Sequence, residues 1–465
     1  MSENPVYHNP DLTYTFHLII PHRGEPLVLM AWEGDSWVLP HFHPQEHYLA
    51  VVGHINREVK RQLGLDATVL RCANVVKDKE VKKRVDAVFT MENHSGQWSP
   101  PDGLSWIGLS ELEDLHMEKP QQRAVIEEWL LEASGGEVPP LRAPWSRCGW
   151  IGRVREWIGE ELGKLGVAPT GPMEQVKHWG ISAVLRVPTS EGYFYFKAVP
   201  FLFKQEPAIT QALGRKYPGL VPVPVAVATF KEQGWMLLRD FGGKPLENAT
   251  IEQYEEAVAR LSQIQVEAVD RVEELLAAGC ADRRLSRLRA QIDPLLVDVE
   301  VVSRLSGEEL EKLRALSPRL KEMCDRLASY GVPETLAHGD FHDTNIASRG
   351  GEYVIFDWTD GCITHPFFDL LTLFECEYFE KHPEYRARIG DVYFAAWTAY
   401  EPIERLWEAY RLVETLGALH HAISYKQIVY SLEPSQRWEL EGALPGWLRQ
   451  VLASTEKGDV RVTEV

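Results

Sequence analysis

The residues best placed for chemistry form two neighbouring clusters, His338-Gly339-Asp340-Phe341-His342-Asp343-Thr344-Asn345 and Ile355-Phe356-Asp357-Trp358. An aspartate followed five positions later by an asparagine lets one loop offer both a carboxylate base and a neutral oxygen ligand. A second aspartate at the end of the next strand can reach the same cation from another side. This donor set suits phosphoryl transfer from ATP. That reaction needs little covalent help, but the acceptor hydroxyl must be oriented and deprotonated, and magnesium must be held against the phosphates. Asp340 is then the base, with Asn345 and Asp357 as the metal ligands. A satisfied polar turn, or a metal-binding His338/His342 pair, is the competing explanation, and the ordered succession of Asn345, Asp357 and Asp369 weighs against it.

Upstream residues agree with that chemistry. Lys197 ends the apolar run YFYFK, where a strand would present an ammonium group to phosphates, and Glu206 opens the next helical pattern, placed to pair with it. Gly180-Ile181-Ser182 precedes a strand and offers backbone amides to phosphates, with Ser182 as the candidate residue, although it lacks a GxGxxG pattern. Together the HGDxxxxN loop and the IFDW strand end resemble the aminoglycoside phosphotransferase and choline kinase family, over about residues 148 to 456. The resemblance implies a two-lobed, protein-kinase-like α+β fold. It also implies that Asp340 is the catalytic base, that Asn345 and Asp357 ligate magnesium, that His338 braces the loop and that Asp369 is a structural aspartate. Met236–Phe241 resembles the hinge whose backbone meets adenine. Only eleven residues separate Asp357 from Asp369, too few for an activation segment that docks a peptide. A small hydroxylated acceptor is therefore expected, with Glu375, Glu377 and Glu380 as candidate lining against the plainer reading of a solvated helix face.

These residues need elements to hold them. Strand-like runs fall at 183–189, 193–199, 223–230 and 235–241, with helical patterns at 150–166 and 206–217 and predominantly helical patterns after Thr250, interrupted by apolar runs at 334–341 and 353–358. The expected organisation is a front domain over 1–135, a Gly/Pro-rich linker at 136–147, a strand-rich lobe over 148–243 and a mainly helical lobe over 244–465.

The front domain reads as mixed α/β: strands at 14–21, 26–32, 67–76 and 84–92, a helix from Glu46 to Leu63 capped by Gly64, and a helix from Pro120 to Glu132. Arg57-Glu58-Val59-Lys60-Arg61-Gln62-Leu63-Gly64-Leu65 resembles the second half of a Nudix box. Arg61 and Gln62 stand where that box carries its paired metal-binding glutamates, and Leu49 and His43 hold the upstream Glu and Gly places. With Glu58 alone remaining, the domain is expected to be non-hydrolytic. A rival reading takes His41, His43, Glu46 and His47 as a cupin metal motif. The helical pattern that follows, and the lack of a second motif, argue against it.

Composition bounds the rest. At 465 residues the chain can bury several cores. A net charge of −19 disfavours a nucleic-acid surface. No apolar run is long enough to cross a membrane, the start MSENPVYHNPDLTY is not a secretory signal, and six scattered cysteines suit a reducing cytoplasm. The expectation is a cytoplasmic ATP- and magnesium-dependent phosphotransferase acting on a small molecule: an antibiotic such as an aminoglycoside, an amino alcohol, a sugar or another metabolite. The alternatives are a non-catalytic nucleotide-binding regulator with a kinase fold, and a Nudix-type hydrolase acting through the front domain. Oligomeric state is not legible.

Overall fold

The computed structural model describes residues 12–78, 83–247 and 249–462, with side chains to 455, so most of the segment read for a secretory signal lies outside the described residues. The chain divides into two compact units. One runs up to Pro200 and includes Tyr430–Glu439; the other comprises Phe201–Val429 and the chain from Leu440 onward. The fold is mixed α+β.

The first unit opens with β1 (Thr13–Ile19), β2 (Val28–Glu33), β3 (Ser36–Val38), β4 (His41–Phe42), β5 (Ala67–Asp78), β6 (Arg84–Asn93) and β7 (Leu104–Ile107). They form a sheet in the order β4-β1-β6-β5 and a smaller one in the order β3-β2-β7. β1 and β6 run parallel, Phe16 opposite Ala87 and Leu18 opposite Phe89. The two-residue period of a strand sends alternate side chains to opposite faces, so both faces of the larger sheet find a core. Phe16, Leu18 and Phe89 pack with Ile55 and Val59 of the helix Gly53–Leu63. Ile19 and Val88 pack with Met30, Ile107 and the helix Arg123–Ala133.

That first helix is shorter than its sequence pattern. It starts at Gly53 rather than Glu46, and residues 46–52 form loop and turn. Pro44 lies just upstream, and the Glu46 carboxylate accepts the Tyr48 N–H (2.9 Å), a local bond that competes with helix formation. Gly64 closes the helix in the left-handed region at φ 69°, its N–H on the Lys60 carbonyl, as glycine allows.

The same unit continues with the helix Trp150–Lys164 and an antiparallel meander of β8 (Glu174–Trp179), β9 (Ser182–Thr189) and β10 (Gly192–Pro200). Gln175 on β8 acts as a side-chain surrogate for a strand partner. Its amide donates to the Val69 carbonyl (2.8 Å) and accepts the Val69 N–H (2.9 Å). His178 Nε2 bonds the neighbouring Leu70 carbonyl (3.0 Å). Residues 430–439 are fixed here by a buried ion network in which Glu433 takes Arg142 through Nε (2.5 Å) and Nη2 (3.1 Å) and lies 3.5 Å from Arg71. Arg142 and the buried Trp145 belong to the Pro-rich stretch expected to link two domains, so part of that stretch is packed into this unit.

In the second unit β11 (Ala226–Thr229) and β12 (Gln233–Arg239) form a hairpin. β13 (Lys244–Pro245) follows, then long helices at Ile251–Ala268 and Gly307–Ala328, whose Thr250/Gln253 and Ser306/Glu309 pairs form capping boxes. The short strands β14 (Ala281–Asp282), β15 (Thr335–Ala337), β16 (Ile346–Arg349), β17 (Glu352–Ile355) and β18 (Cys362–Thr364) make two small sheets, β13-β16-β17 and β14-β18-β15. Among the described residues no helix is long and apolar enough to cross a membrane.

Candidate active site

The HGD loop lies between β15 and β16 and is held from below. Asp369, fully buried near the start of the helix Phe368–Phe374, accepts the backbone N–H of His338 (2.7 Å) and of Gly339 (2.8 Å) and the Gln265 amide (2.8 Å). Burial pushes the Asp369 carboxyl up to about 7, against the pull of those donors. His338, also fully buried, donates from Nε2 to the Phe356 carbonyl (2.9 Å), and its Nδ1 receives the Asp340 N–H (3.3 Å). Burial lowers this imidazole to about 4, which keeps it neutral and suits one donor and one acceptor nitrogen.

Gly339 takes φ +81°, and a Cβ there would stand 2.4 Å from the Asp360 carbonyl oxygen. The turn therefore excludes side chains and swings the next residue outward. The Asp340 side chain is 43% exposed, and its Oδ2 lies 3.2 Å from His342 Nε2 and 3.1 Å from Asn345 Nδ2. Burial of the site works against its ionisation, but His342 more than offsets that and holds the Asp340 carboxyl well below the usual range. The Asp340 charge in turn raises His342 against its own burial. His342 is steadied on its far side by Thr344 Oγ1, 2.7 Å from Nδ1.

Asn345 ends a 3-10 turn, Asp343–Asn345, and is tied to the loop twice, its Nδ2 also donating to the Asp340 carbonyl (3.0 Å). With the amide nitrogen so committed, Oδ1 is the atom left to face a cation. The β16–β17 hairpin pairs Ile346 with Ile355, and the Phe356 N–H bonds the Asn345 carbonyl (3.0 Å), which brings Asp357 to the same hairpin end as Asn345. Asp357 sits in the left-handed region at φ 66°, an uncommon conformation for a non-glycine residue, and its Oδ1 accepts the Thr359 hydroxyl (2.5 Å). One carboxylate and one carboxamide oxygen make a hard, oxygen-only donor set. It fits magnesium, which takes few protein ligands and completes its shell with phosphate and water. No group of three or more His, Cys, Asp or Glu among the described residues could hold a metal without such help.

Ser182 opens β9, buried, its hydroxyl accepting the Trp179 indole N–H (2.8 Å) across the Gly180-Ile181 turn. Lys197 lies in β10 opposite Val184, half-buried between the buried Phe196 and Ala198. Glu206 is the first residue of the helix Glu206–Lys216 and is buried. Glu375, Glu377 and Glu380 are all exposed, with Glu375 taking the Gln450 amide and Glu377 paired with Lys381 one helical turn on, so they form the solvated face. Sequence reasoning passed over His342 as a partner of Asp340, and it passed over Gln265 entirely. His342 carried a signal, since it lies in the same loop. Gln265, 104 positions from Asp369, carried none.

In the first unit Glu58 is clasped by Arg61 (2.5 Å) and Gln62 (2.6 Å), the residues that the sequence resemblance aligned with the paired glutamates of a Nudix box. It is spent on its own helix. The cupin alternative does not assemble: His41 Nδ1 bonds the Leu39 carbonyl, His43 Nδ1 the Tyr14 carbonyl, Glu46 the Tyr48 N–H, and His47 stacks on Tyr14. The full-length protein with magnesium is accordingly expected to release no phosphate or nucleoside monophosphate from nucleoside diphosphate compounds above the uncatalysed rate. Turnover abolished by Glu58→Gln would overturn this.

Residues 177–403 match the phosphotransferase enzyme family. Solved structures similar to the chain include an aminoglycoside phosphotransferase from Streptomyces rimosus, at 17% identity and TM-score 0.35 over 57% of this chain and 98% of that one. A type I macrolide 2'-phosphotransferase is 13% identical, with TM-score 0.41 over 62% of this chain and 96% of its own. An amicoumacin kinase is 11% identical, with TM-score 0.43 over 64% and 92% respectively. No curated protein matches the chain significantly.

Proposed function

We propose that this chain, whose residues 177–403 match the phosphotransferase enzyme family, transfers the terminal phosphoryl group of ATP, bound with magnesium, to a hydroxyl of a small molecule. The observation that carries this is the Asp340 carboxylate, exposed at the tip of a loop whose backbone is bonded to Asp369 and whose side chains converge from His342 and Asn345.

The roles follow from the chemistry. Asp340 accepts the proton of the acceptor hydroxyl as its oxygen bonds to phosphorus and the bond from phosphorus to the bridging oxygen of ADP breaks. His342 and Asn345 fix the carboxylate so that little reorganisation is needed at that moment. Asn345 Oδ1 and Asp357 would hold magnesium, which neutralises phosphate charge when bound. Lys197 would contact the α- and β-phosphates with Glu206 fixing its position, and Ser182 with its turn would meet the phosphates by backbone amides. The acceptor is proposed to be a hydroxylated antibiotic, amino alcohol, sugar or other metabolite, and the front module to be a non-hydrolytic, Nudix-like companion domain.

Phosphate-transfer assays against aminoglycosides, macrolides, amino alcohols, sugars and nucleosides test the whole proposal. Turnover with none of these classes, alongside unmeasurable ATP binding, would refute it. Asp357→Asn is expected to weaken magnesium-dependent ATP binding by more than about tenfold, the effect of losing a ligating charge. The same change should leave metal-free binding nearly unaltered; calorimetry with magnesium and with a chelator separates the two.

A further inference from the structure

Arg283 lies beside the HGD loop with most of its hydrogen-bonding capacity unspent. Its backbone is fixed to β18, the N–H on the Ile363 carbonyl (2.9 Å) and the carbonyl taking the Thr364 hydroxyl (2.8 Å). The side chain is 14% exposed, and among the described residues its one partner is Asp360, at 3.5 Å, longer than a good N–H···O bond. A guanidinium offers a fork of several donors. Those left over are not sealed away, since no nitrogen of Arg283 is both buried and unpartnered. Asp360 places the pair: a Cβ at Gly339 would stand 2.8 Å from the Asp360 Cβ, so Asp360 adjoins the turn that carries Asp340.

His421, on the helix Ile403–Tyr430, supplies a complementary group. Trp447 stacks on its ring at 4.4 Å and 21°, which fixes the ring plane. Its Nε2 lies 2.9 Å from Thr372 Oγ1, and the Thr372 hydroxyl gives its proton to the Phe368 carbonyl (3.2 Å). The ring proton therefore sits on Nε2, and Nδ1 is left as a bare acceptor without a partner among the described residues. Burial lowers this imidazole to about 4, so it is neutral at physiological pH, and the charges of Asp340 and Arg283 both act on it. Unlike the nearby His365 Nε2, this Nδ1 is not an enclosed orphan.

We propose, resting on the phosphotransferase reading above, that the acceptor is an uncharged polyhydroxylated compound of the sugar or cyclitol type. One hydroxyl meets Asp340, a second bridges Arg283 and Asp360, and a third donates to His421 Nδ1. A hydroxyl accepts and donates at once, so it can take an N–H from Arg283 while giving its own proton to Asp360. An ammonium cannot accept from Arg283 and is repelled by it. A carboxylate or phosphate is opposed by Asp340 and Asp360. The reacting hydroxyl gives its proton to Asp340, its oxygen bonds to the terminal phosphorus, and the bond from phosphorus to ADP breaks, leaving a sugar phosphate and ADP.

Transfer of labelled terminal phosphate from magnesium-ATP by the full-length protein tests this with D-glucose, D-ribose, maltose, myo-inositol, kanamycin A, choline and gluconate. At least one of the four neutral polyols should exceed each charged compound in kcat/KM by about tenfold or more, because the wrong charge leaves site groups unpaired. Arg283→Gln and His421→Phe should each raise KM for that polyol about five- to tenfold, the effect of one lost hydrogen bond. Their kcat should stay within about threefold and their magnesium-ATP affinity unchanged, a split that general loss of structure would not produce. Higher efficiency with kanamycin A, choline or gluconate would overturn the proposal and leave the phosphotransferase reading standing. Transfer to none of the seven would also overturn it, and magnesium-ATP binding in the same samples then reports on the phosphotransferase reading separately. An unaltered KM in both variants would remove Arg283 and His421 from acceptor recognition and overturn it as well.

Discussion

Asp340→Asn is expected to lower turnover by about 10²–10⁴-fold, the usual contribution of a positioned general base, while ATP affinity stays within about twofold. The substitution preserves shape and an oxygen that can accept from Asn345 Nδ2, now 3.1 Å from the carboxylate. What it removes is the charge proposed to take up the acceptor's proton. Because His342 keeps the carboxyl ionised well below the usual range, mildly acidic buffer cannot mimic the mutant. As pH falls from 8 toward 5, Asp340 remains deprotonated, and loss of rate in that interval must come from another group. Single-turnover rates across pH, measured beside nucleotide affinity, check both statements. Turnover retained within a few-fold in Asp340→Asn would remove the base from its assigned role.

Gly339→Ala should damage the site from one position away. The backbone at Gly339 is left-handed, and the added methyl would meet the Asp360 carbonyl oxygen at 2.4 Å, so either the loop or the Trp358–Asp360 turn must shift. Left-handed strain adds about 1–2 kcal/mol and the forced displacement more, for a total loss of roughly 2–4 kcal/mol of stability. A shift of about 1 Å in the base can by itself cost on the order of 10²-fold in rate. Denaturant midpoints and turnover of the folded protein should therefore both fall. An alanine variant with normal stability and normal turnover would mean that the turn is not the rigid support described above.

The parts of the site that are local in sequence could be read without coordinates. Asp340 and Asn345 share one loop, Asp357 follows on the next strand, and the distance between them is set by a hairpin too short to vary. Long periodic patterns were equally legible: the helix Glu206–Lys216, the cap at Gly64 and strands β9 and β10 lie within a residue or so of their patterns. Very short strands were not, because the two residues of β4 or the three of β3 carry no periodicity to detect. The false helical start at Glu46 shows the converse, since residues of helical type were diverted by a side-chain bond within their own loop.

By itself the sequence determined the identity and spacing of the groups proposed to carry the chemistry, and that Glu58 has Arg61 and Gln62 rather than carboxylates beside it on its helix. Tertiary structure alone decided what holds those groups. Asp369 meets Gln265 across 104 positions, and Arg142 meets Glu433 across 291. Such pairs form because burial forces every polar group to find a partner wherever the chain happens to return, and a one-dimensional pattern contains no record of that return.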